Sequence, residues 1–541
     1  MANKDNTDTE RMEKIVSLCK RRGFIFQSAE LYGGLNGCWD YGPLGTELKR
    51  NLKDFWWRKH VQERDDILGM DGSILTHQSV LKSSGHIGGF SDPMATCKSC
   101  QKHVRFDQLR ELVAESEWGQ SLASIMTVTD SGDSAGVEAT GSQIHEWARK
   151  KGKKLAPNLA VVREPEIVLS FFKEESERHQ PMDPWYACQL LGTPQFKETG
   201  LKNPCPYCGG ELSEAKEFNL MFQTNMGATG TDVAYLRPET AQSIFVQYKN
   251  ILDSNRVKLP FGIAQIGKSF RNEVNPRNYI FRSREFEQME IEYFCRPEDG
   301  MRLTDEWLET RLKFYEAIGI PREKLHIIDI PDEDRAFYSA KTYDIEYDFP
   351  FGQQELEGVA YRTDYDLRVH QEGSGKTLEY YDEETKERFI PHVVEPSAGC
   401  DRTVLALICE AFDEEDLGKD GKTDLRTVLR FKPQIAPIKV AILPLLKNKP
   451  ELVEKAKEVK NLLQPFMNVA YDEAAAIGRR YRRQDEAGTP FCLAIDFQTI
   501  GEADENGNDL TDTVTIRHRD SMEQERLPIS EVLSWLLARI R

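Results

Sequence analysis

The sequence predicts an α+β fold, with a large antiparallel sheet followed by a small α/β domain. Three observations predict it. Short β-rich runs alternate with turns from about 218 to 300 and again from 340 to 405, as in Phe261–Ile266, Glu287–Phe294 and Ile390–Val394; such alternation belongs to antiparallel sheets. Between the two blocks, residues 302–318 carry the period of an amphipathic helix. At 432–437, Pro433 and Pro437 mark a linker, and from Lys439 a strand–helix–strand alternation runs to the end, the pattern of a separate α/β domain.

Ahead of the sheet, residues 10–65 read as a helix, a glycine-rich turn (Tyr32–Gly45) and a second helix at about Thr46–Gln62, striped by Leu48, Leu52, Phe55, Trp56 and Val61. Residues 95–215 read as an insertion bracketed by Cys97-x-x-Cys100 and Cys205-x-x-Cys208, its Ser-, Thr-, Gly- and Asp-rich middle (Thr127–Gly141) being a loop. The expected layout is a first domain of 1–94 and 216–432, the insertion, and a second domain of 433–541. Gly373-Ser374-Gly375-Lys376-Thr377 imitates the end of a phosphate-binding loop, but His370 stands where that motif needs glycine. It is expected to be a hairpin loop between strands Tyr365–Val369 and Leu378–Tyr381.

A chain that is 39% hydrophobic and 30% charged has a soluble globular composition. The apolar runs Val404–Ile408 and Val440–Leu446 are too short to span a bilayer, and the polar start MANKDNTDTE lacks a secretory pattern. Eleven cysteines, several in C-x-x-C pairs, point to a reduced cytoplasmic protein with a metal site. Two such pairs suit tetrahedral zinc held by Cys97, Cys100, Cys205 and Cys208. The 104 intervening residues weaken the pattern; reduced structural cysteines, or His103 as a substitute ligand, stay open. The net charge of −18 argues against nucleic-acid binding by the body as a whole, but Arg479, Arg480, Arg482 and Arg483 cluster within five residues around Tyr481. A basic patch on an acidic body can still bind RNA, although from the residues alone a solvated helix face is the favoured reading of these arginines.

Two segments carry the chemistry. Phe270-Arg271-Asn272-Glu273, a loop, and Phe281-Arg282-Ser283-Arg284-Glu285-Phe286-Glu287-Gln288-Met289-Glu290-Ile291-Glu292 read as two strands around a charged hairpin loop. Side chains two apart share a face, so arginines line up with Phe286, Gln288 and Glu290. Arginine grips phosphate in bidentate fashion and a ring stacks on a base; a solvent-exposed strand laced with salt bridges is the plainer alternative. Glu395-Pro396-Ser397-Ala398-Gly399-Cys400-Asp401-Arg402 reads as strand, small-residue turn and helix, where a ligand can approach the backbone. Alone, an ordinary strand-to-helix connection explains it better.

Together these segments resemble motifs 2 and 3 of the class II aminoacyl-tRNA synthetases. The likeness to the dimeric glycyl type extends over Gly45–Lys53 with Trp56-Trp57, Ser84-Gly85-His86, Arg237–Gln242, Arg480–Phe491 and Arg519–Arg526. The resemblance implies activation of glycine by ATP to glycyl-adenylate, then transfer to the 3′ end of tRNA. It implies Arg271, Glu273 and Arg402 as catalytic residues, with Arg271 on the α-phosphate, Arg282 and Arg402 on the terminal phosphates, and Phe286 on adenine. Asn272, Phe281, Ser283, Arg284, Glu285, Glu355, Leu356, Gly399, Cys400 and Asp401 complete the implied ATP site. Glu239, Glu290 and Glu395 would form an acidic pocket for the glycine ammonium, with Ser397 beside it and Arg105 as a further contact. Phe286, Glu287, Gln288, Met289, Pro396, Ala398 and Gly399 are its implied surroundings. Glu355 and Glu395 are candidates for Mg²⁺ or ammonium contacts. Residues 433–541 would be an anticodon-binding domain using Arg479, Arg480, Arg482 and Arg483 on tRNA. A homodimer is implied too, with the Trp56-Trp57 helix and the following strand as motif 1, although that motif's proline is not evident. Another class II synthetase, or an accessory subunit without catalysis, stays open; the motif arginines argue against the latter.

Overall fold

The computed structural model of the chain describes residues 2–126, 142–159, 162, 202–418, 423–503 and 505–540. The expected loop Thr127–Gly141 lies outside the described residues. The chain divides into two compact units, one of 1–84 and 221–541 and one of 85–220. The insertion thus begins at Gly85, ahead of its first expected residue.

The first unit is built on a seven-stranded sheet. Its strands are β1 (Ile67–Gly69), β2 (Phe261–Phe270), β3 (Glu285–Cys295), β4 (Leu325–Asp329), β5 (Lys341–Phe349), β6 (Gly352–Thr363) and β7 (His392–Gly399), ordered β4-β5-β6-β7-β3-β2-β1. Every pairing is antiparallel except β1 with β2, which is parallel. Helices α1 (Ala2–Arg22), α2 (Pro43–Trp57), α4 (Gly300–Ile318) and α6 (Cys400–Ala411) share the main core with one face of the sheet. Helix α3 (Ala241–Asn255) packs with the far end of the opposite face, over Phe261, Ile263 and Phe294.

Helix α2 starts at Pro43, which presets the first-turn φ, and buries Leu48, Leu52, Phe55 and Trp56. It ends as an α-helix at Trp57, short of the expected Gln62; a wider π turn over Arg58–Gln62 swings His60 into the core. There Arg311 of α4 bonds both His60 and, at 2.5 Å, Glu357. Burial first, then the Arg311 charge, holds the His60 pKa well below its usual value. The glycine-rich segment is more than a turn. Trp39–Tyr41 pairs with Ile25–Gln27 as a small hairpin.

The expected strand Tyr365–Val369 is instead helix α5 (Tyr365–Ser374). Asp366, Leu367 and His370 are buried at helical spacing, a period that five Tyr- and Val-bearing residues cannot establish alone. Gly375, at φ +67°, ends that helix, so Gly373–Thr377 is a helix terminus and not a hairpin loop.

The C-terminal part has its own sheet, β8 (Val440–Pro444), β9 (Val469–Tyr471), β10 (Phe491–Ile495), β11 (Thr513–His518) and β12 (Gln524–Pro528), ordered β9-β8-β10-β11-β12. Helices α7 (Pro450–Leu463), α8 (Ile477–Ala487) and α9 (Ile529–Ile540) flank it, with a core of Val440, Ile442, Leu493, Ile516 and Leu536. It is less separate than the linker prolines predict. Buried Arg426, on the hairpin strand Leu425–Leu429, bonds Asp485 of α8 at 2.9 Å, and Glu486 takes Arg21 of α1 at 2.5 Å.

In the second unit, strand Ser91–Thr96 pairs with His103–Arg105 and Lys216–Asn219. Its core contains Val104, Trp118, Ile144, Trp147, Ala156 and the cysteines Cys97 and Cys205.

Candidate active site

The strand register decides which side chains meet. Across the sheet, Gln265 pairs with Glu290, Glu290 with Ser397, and Ser397 with Gly358. One face therefore carries Gln265 and Ser269 of β2, Phe286, Gln288, Glu290 and Glu292 of β3, Glu395 and Ser397 of β7, and Arg362 of β6. The intervening residues Glu287, Met289, Pro396 and Ala398, expected around the amino acid, point to the other face. Met289 and Ala398 are in the main core, and Glu287 is paired with Lys49 at 2.6 Å and Lys53 at 2.9 Å. Alternation along a strand lets every second residue of such a run reach a ligand by its side chain.

The polar face is a chain of oriented hydrogen bonds. Ser269 Oγ donates to Gln288 Oε1 at 2.7 Å, and Ser397 Oγ donates to Glu290 Oε1 at 2.7 Å. Thr240 Oγ1 donates to the other Glu290 oxygen. Arg362, itself buried, reaches both oxygens of Glu395 from Nη1 at 2.9 Å and grips Asp366 with Nε and Nη2 at 2.7 and 2.9 Å. Gln242 Nε2 donates to Glu239 at 3.0 Å and to Asp366 at 3.2 Å.

Glu290, Glu292 and Glu395 bring carboxylate oxygens within 4.8 Å of one another. Burial first, then the charges of Glu395 and Glu239, pushes the Glu290 pKa up to about 8. Burial likewise raises Glu395 and Glu292, and among the described residues neither oxygen of fully buried Glu292 has a hydrogen-bond partner. Buried carboxylates in excess of their guanidinium make a pocket that favours a cation. Glu292, Arg362, Asp366 and Thr240 are absent from the sequence-based set. Glu292 was legible, two residues beyond Glu290 and hence on its face; nothing local in the sequence marks Arg362.

Towards the other end of this face lie the arginines. Strand β2 stops at Phe270, so Arg271 leaves the ladder; its Nε donates to the Pro238 carbonyl at 3.0 Å and its guanidinium covers Phe286 at 5.4 Å. Arg402, third residue of α6, donates from Nη1 to the Glu355 carbonyl and carboxylate, both at 3.1 Å, and lies 4.5 Å over Phe281. Phe281 is buried edge-on against the stacked rings of Phe349 and Phe351 and serves as a platform under Arg402. A bulge in β6 sets the Glu355 direction. Ile345 and Glu346 face Glu357 and Glu355, leaving Leu356 unmatched with its side chain in the core. Glu355 thereby shares a side with Glu346 and Asp344, whose pKa burial and those two charges push up to about 7.

Several expected ATP residues are structural by their side chains. Cys400 is buried in the main core. Asp401 accepts from Tyr41 at 2.5 Å, from Lys49 at 2.7 Å and from the Glu287 amide at 2.7 Å. Arg284 donates to the carbonyls of Glu273 at 3.1 Å and Asn36 at 2.5 Å, clamping the glycine-rich segment to the motif loop. Ser283 bonds the Glu285 carbonyl and Glu285 pairs with Lys268. Arg282, Asn272 and Glu273 are half-exposed, Arg282 bridging to Arg277 across the motif loop, and Gly399 directly precedes α6.

In the second unit the four cysteine sulfurs form one cluster, Cys97 and Cys208 at 3.6 Å and Cys100 and Cys205 at 3.7 Å. His103 lies outside it, bonded to Thr96 at 2.9 Å. Arg105 is bonded to Asp107 at 2.6 Å and Asp92 at 3.3 Å within the same unit.

The arginine cluster of the C-terminal part is dispersed around helix α8, contrary to the solvent-facing patch expected. Arg480 points inward and donates to the carbonyls of Ala475 and Pro444. Arg483 is held by Asp472 at 2.6 Å and Arg482 by Asp424 at 2.7 Å, while Arg479 is exposed. Tyr481 packs under Arg517 at 4.7 Å. A helix turns successive side chains by about 100°, so neighbours in sequence do not share a face.

The family described as tRNA synthetase class II core domain (G, H, P, S and T) matches residues 224–411, and the family described as anticodon binding domain matches 439–539. Glycine–tRNA ligases of Deinococcus radiodurans and Thermus thermophilus are 43% and 44% identical to the chain, each over 98% of it and 99% of the relative. That of Treponema denticola is 43% identical over 98% of the chain and 97% of its own length. The chain belongs to the glycine–tRNA ligase family. The class II core match covers the whole polar face described above, Glu239 to Arg402, and the anticodon-domain match covers α8 with its arginines. Among the described residues no helix is long and apolar enough to cross a membrane.

Proposed function

We propose that the chain activates glycine with ATP and passes the glycyl group to the 3′-terminal adenosine of tRNA(Gly). The buried carboxylate pocket continuous with an arginine-lined cradle carries this reading. Glu239, Glu290 and Glu395 hold the ammonium, and Ser397 orients Glu290. The amino-acid carboxylate then lies towards Arg271, where its oxygen attacks the α-phosphorus and pyrophosphate leaves. Arg271 neutralises the crowded phosphate, Arg282 and Arg402 take the terminal phosphates, and Phe286 offers its ring to adenine once Arg271 turns to phosphate. In the second step the terminal ribose hydroxyl attacks the glycyl carbonyl and AMP leaves. Glycine is selected by exclusion, any added carbon on Cα clashing with the walls of the site.

Glu355, bonded to Arg402, and Glu395 are the candidates for contacting Mg²⁺, which would neutralise the departing pyrophosphate. The four clustered thiols suit a structural Zn²⁺ and leave no open position for chemistry. The family's dimeric type supports a homodimer, and exposed Arg479 remains a tRNA contact in the C-terminal domain. ATP–pyrophosphate exchange with each of the twenty amino acids tests the activation step. Glycine alone should support exchange, and Arg271→Ala should lower it by about 10²-fold or more without loss of folding. Exchange driven equally by alanine or threonine, or near-normal exchange in Arg271→Ala, would refute the assignment.

A further inference from the structure

Arg362 stands among the carboxylates of the pocket, and the direction of its guanidinium decides how much negative charge is left there. The strand ladder does not set that direction. Tyr361 and Thr363 face Val394 and Val393 of β7, so Arg362 is the unmatched residue of a bulge. Its Nε and Nη2 grip Asp366 and its Nη1 reaches Glu395. A competing partner is close by. The carboxylate of Glu292 lies within 4.8 Å of that of Glu395, its oxygens have no hydrogen-bond partner among the described residues, and the Arg362 charge acts on it. A guanidinium free to swing would turn to Glu292 and Glu290 and cancel the charge that attracts an ammonium.

Two aromatic rings cover that guanidinium, Tyr338 at 4.1 Å and Phe245 of α3 at 5.4 Å. Tyr338 comes from the loop between β4 and β5. There the Ser339 amide donates to the Ala336 carbonyl at 2.9 Å, closing a tight turn with Phe337 and Tyr338 at its centre. The Ala340 amide donates to the Tyr361 carbonyl at 2.8 Å, which ties the turn to the residue just before Arg362. Phe337 is exposed and rests edge-on against Tyr365 of α5 at 5.1 Å, while Tyr338 is half-buried, within reach of the charges of Arg362, Glu395 and Glu239.

We infer that Tyr338 is a positioning residue for glycine, its ring holding the Arg362 guanidinium on Asp366 and Glu395 so that the pocket keeps its excess of negative charge for the ammonium. The inference rests on the reading of Glu239, Glu290 and Glu395 as the ammonium pocket. The ring acts through its face, which attracts a cation by its quadrupole and needs no hydroxyl for this. Tyr338 lies with the amino-acid end of the site, away from the arginines of the phosphate cradle, so its effect belongs to glycine and not to ATP.

The test is ATP–pyrophosphate exchange by the full chain carrying Tyr338→Phe or Tyr338→Leu, with KM measured separately for glycine and for ATP. Tyr338→Leu, which has no ring face, should raise the glycine KM roughly tenfold, with ATP KM and kcat at saturating glycine unchanged. Tyr338→Phe should stay within about twofold of the parent. A second measurement keeps the side chain's shape and so does not depend on how well leucine is tolerated. Phenylalanine bearing one, two or three ring fluorines at position 338 weakens the quadrupole in steps, and the glycine KM should rise with each step. A glycine KM that is flat across the fluorinated series would overturn the inference, as would glycine and ATP KM rising together, or Tyr338→Phe as defective as Tyr338→Leu. A parent chain without glycine-dependent exchange would overturn the proposed function and this inference together, whereas normal exchange in the parent with an unchanged glycine KM in Tyr338→Leu would overturn this inference alone.

Discussion

Replacing Glu290 by glutamine separates what the pocket does for catalysis from what it costs the fold. Its carboxyl is fully buried beside Glu395 and Glu239, and its pKa rises from 4.5 to about 8. A displacement of that size corresponds to roughly 5 kcal/mol. The sign follows from proton binding. Between pH 4.5 and 8 the unfolded chain has lost this proton while the folded chain keeps it, so stability falls as pH rises through that window and is flat above it. From about pH 5.5 to about pH 9 the loss from this group is roughly 3 kcal/mol. Glutamine has the same shape and no charge, so Glu290→Gln should remove that pH-dependent loss. The variant should melt on the order of 5 °C above the parent at about pH 9, with a much smaller difference at about pH 5.5. Glycine-dependent pyrophosphate exchange should be lost, because an amide cannot replace the charge opposite the ammonium. Thermal melts at the two pH values, with exchange assayed alongside, make the measurement. A variant equally stabilised at both pH values, or destabilised at the higher one, would refute the charge argument.

Gly267→Ala should destabilise the chain by about 1–3 kcal/mol and raise KM for glycine, read by denaturant unfolding and exchange kinetics. Its Cβ would stand 2.1 Å from Arg237 Nη2, and Arg237 is anchored to the carbonyls of Lys268 and Gly72 at 2.7 and 2.9 Å just before Pro238-Glu239. Arg480→Ala should unfold the C-terminal domain more readily, by about 2–3 kcal/mol, because two carbonyls lose a charged donor. Arg479→Ala, at an exposed position of the same helix, should leave stability unchanged and move only tRNA KM. Equal stability of the two arginine variants would count against the inward placement of Arg480.

The fold was legible where period and length agreed. Residues 302–318 fall inside α4 (Gly300–Ile318), and Glu287–Phe294 inside β3 (Glu285–Cys295). It was misread where a short segment carried mixed cues. Tyr365–Val369 has strand-like residues, but Asp366 is buried on Arg362, a partner four residues earlier whose position only the assembled sheet defines. The site was legible as two motifs, and Arg271, Glu290, Glu395 and Arg402 do converge on one side of the sheet. A contiguous run could not reveal which members face that side, nor that Arg362 would arrive from a neighbouring strand. The arginines of α8 failed for the same reason. Spacing of one residue gathers charges in sequence and scatters them on a helix.

The side chains that point away from the pocket explain why it holds its shape. Asp401 is the second residue of α6, and its carboxylate takes Tyr41 and Lys49 from the α2 side and the Glu287 amide from β3. Lys49 bridges on to Glu287 at 2.6 Å. This network fixes the first turn of α6 against both the sheet and α2, so Arg402, one residue further and turned by about 100°, is delivered to the opposite side over Phe281. Glu287 and Glu290 divide the same labour along β3, one anchoring the strand from behind and the other facing the pocket. The charged residues that resemble ligands in the sequence thus form two layers separated by a single strand. The layer in contact with Lys49 is neutralised and stable. The layer beyond it is left deficient in positive charge, and that deficit is what an ammonium group can satisfy.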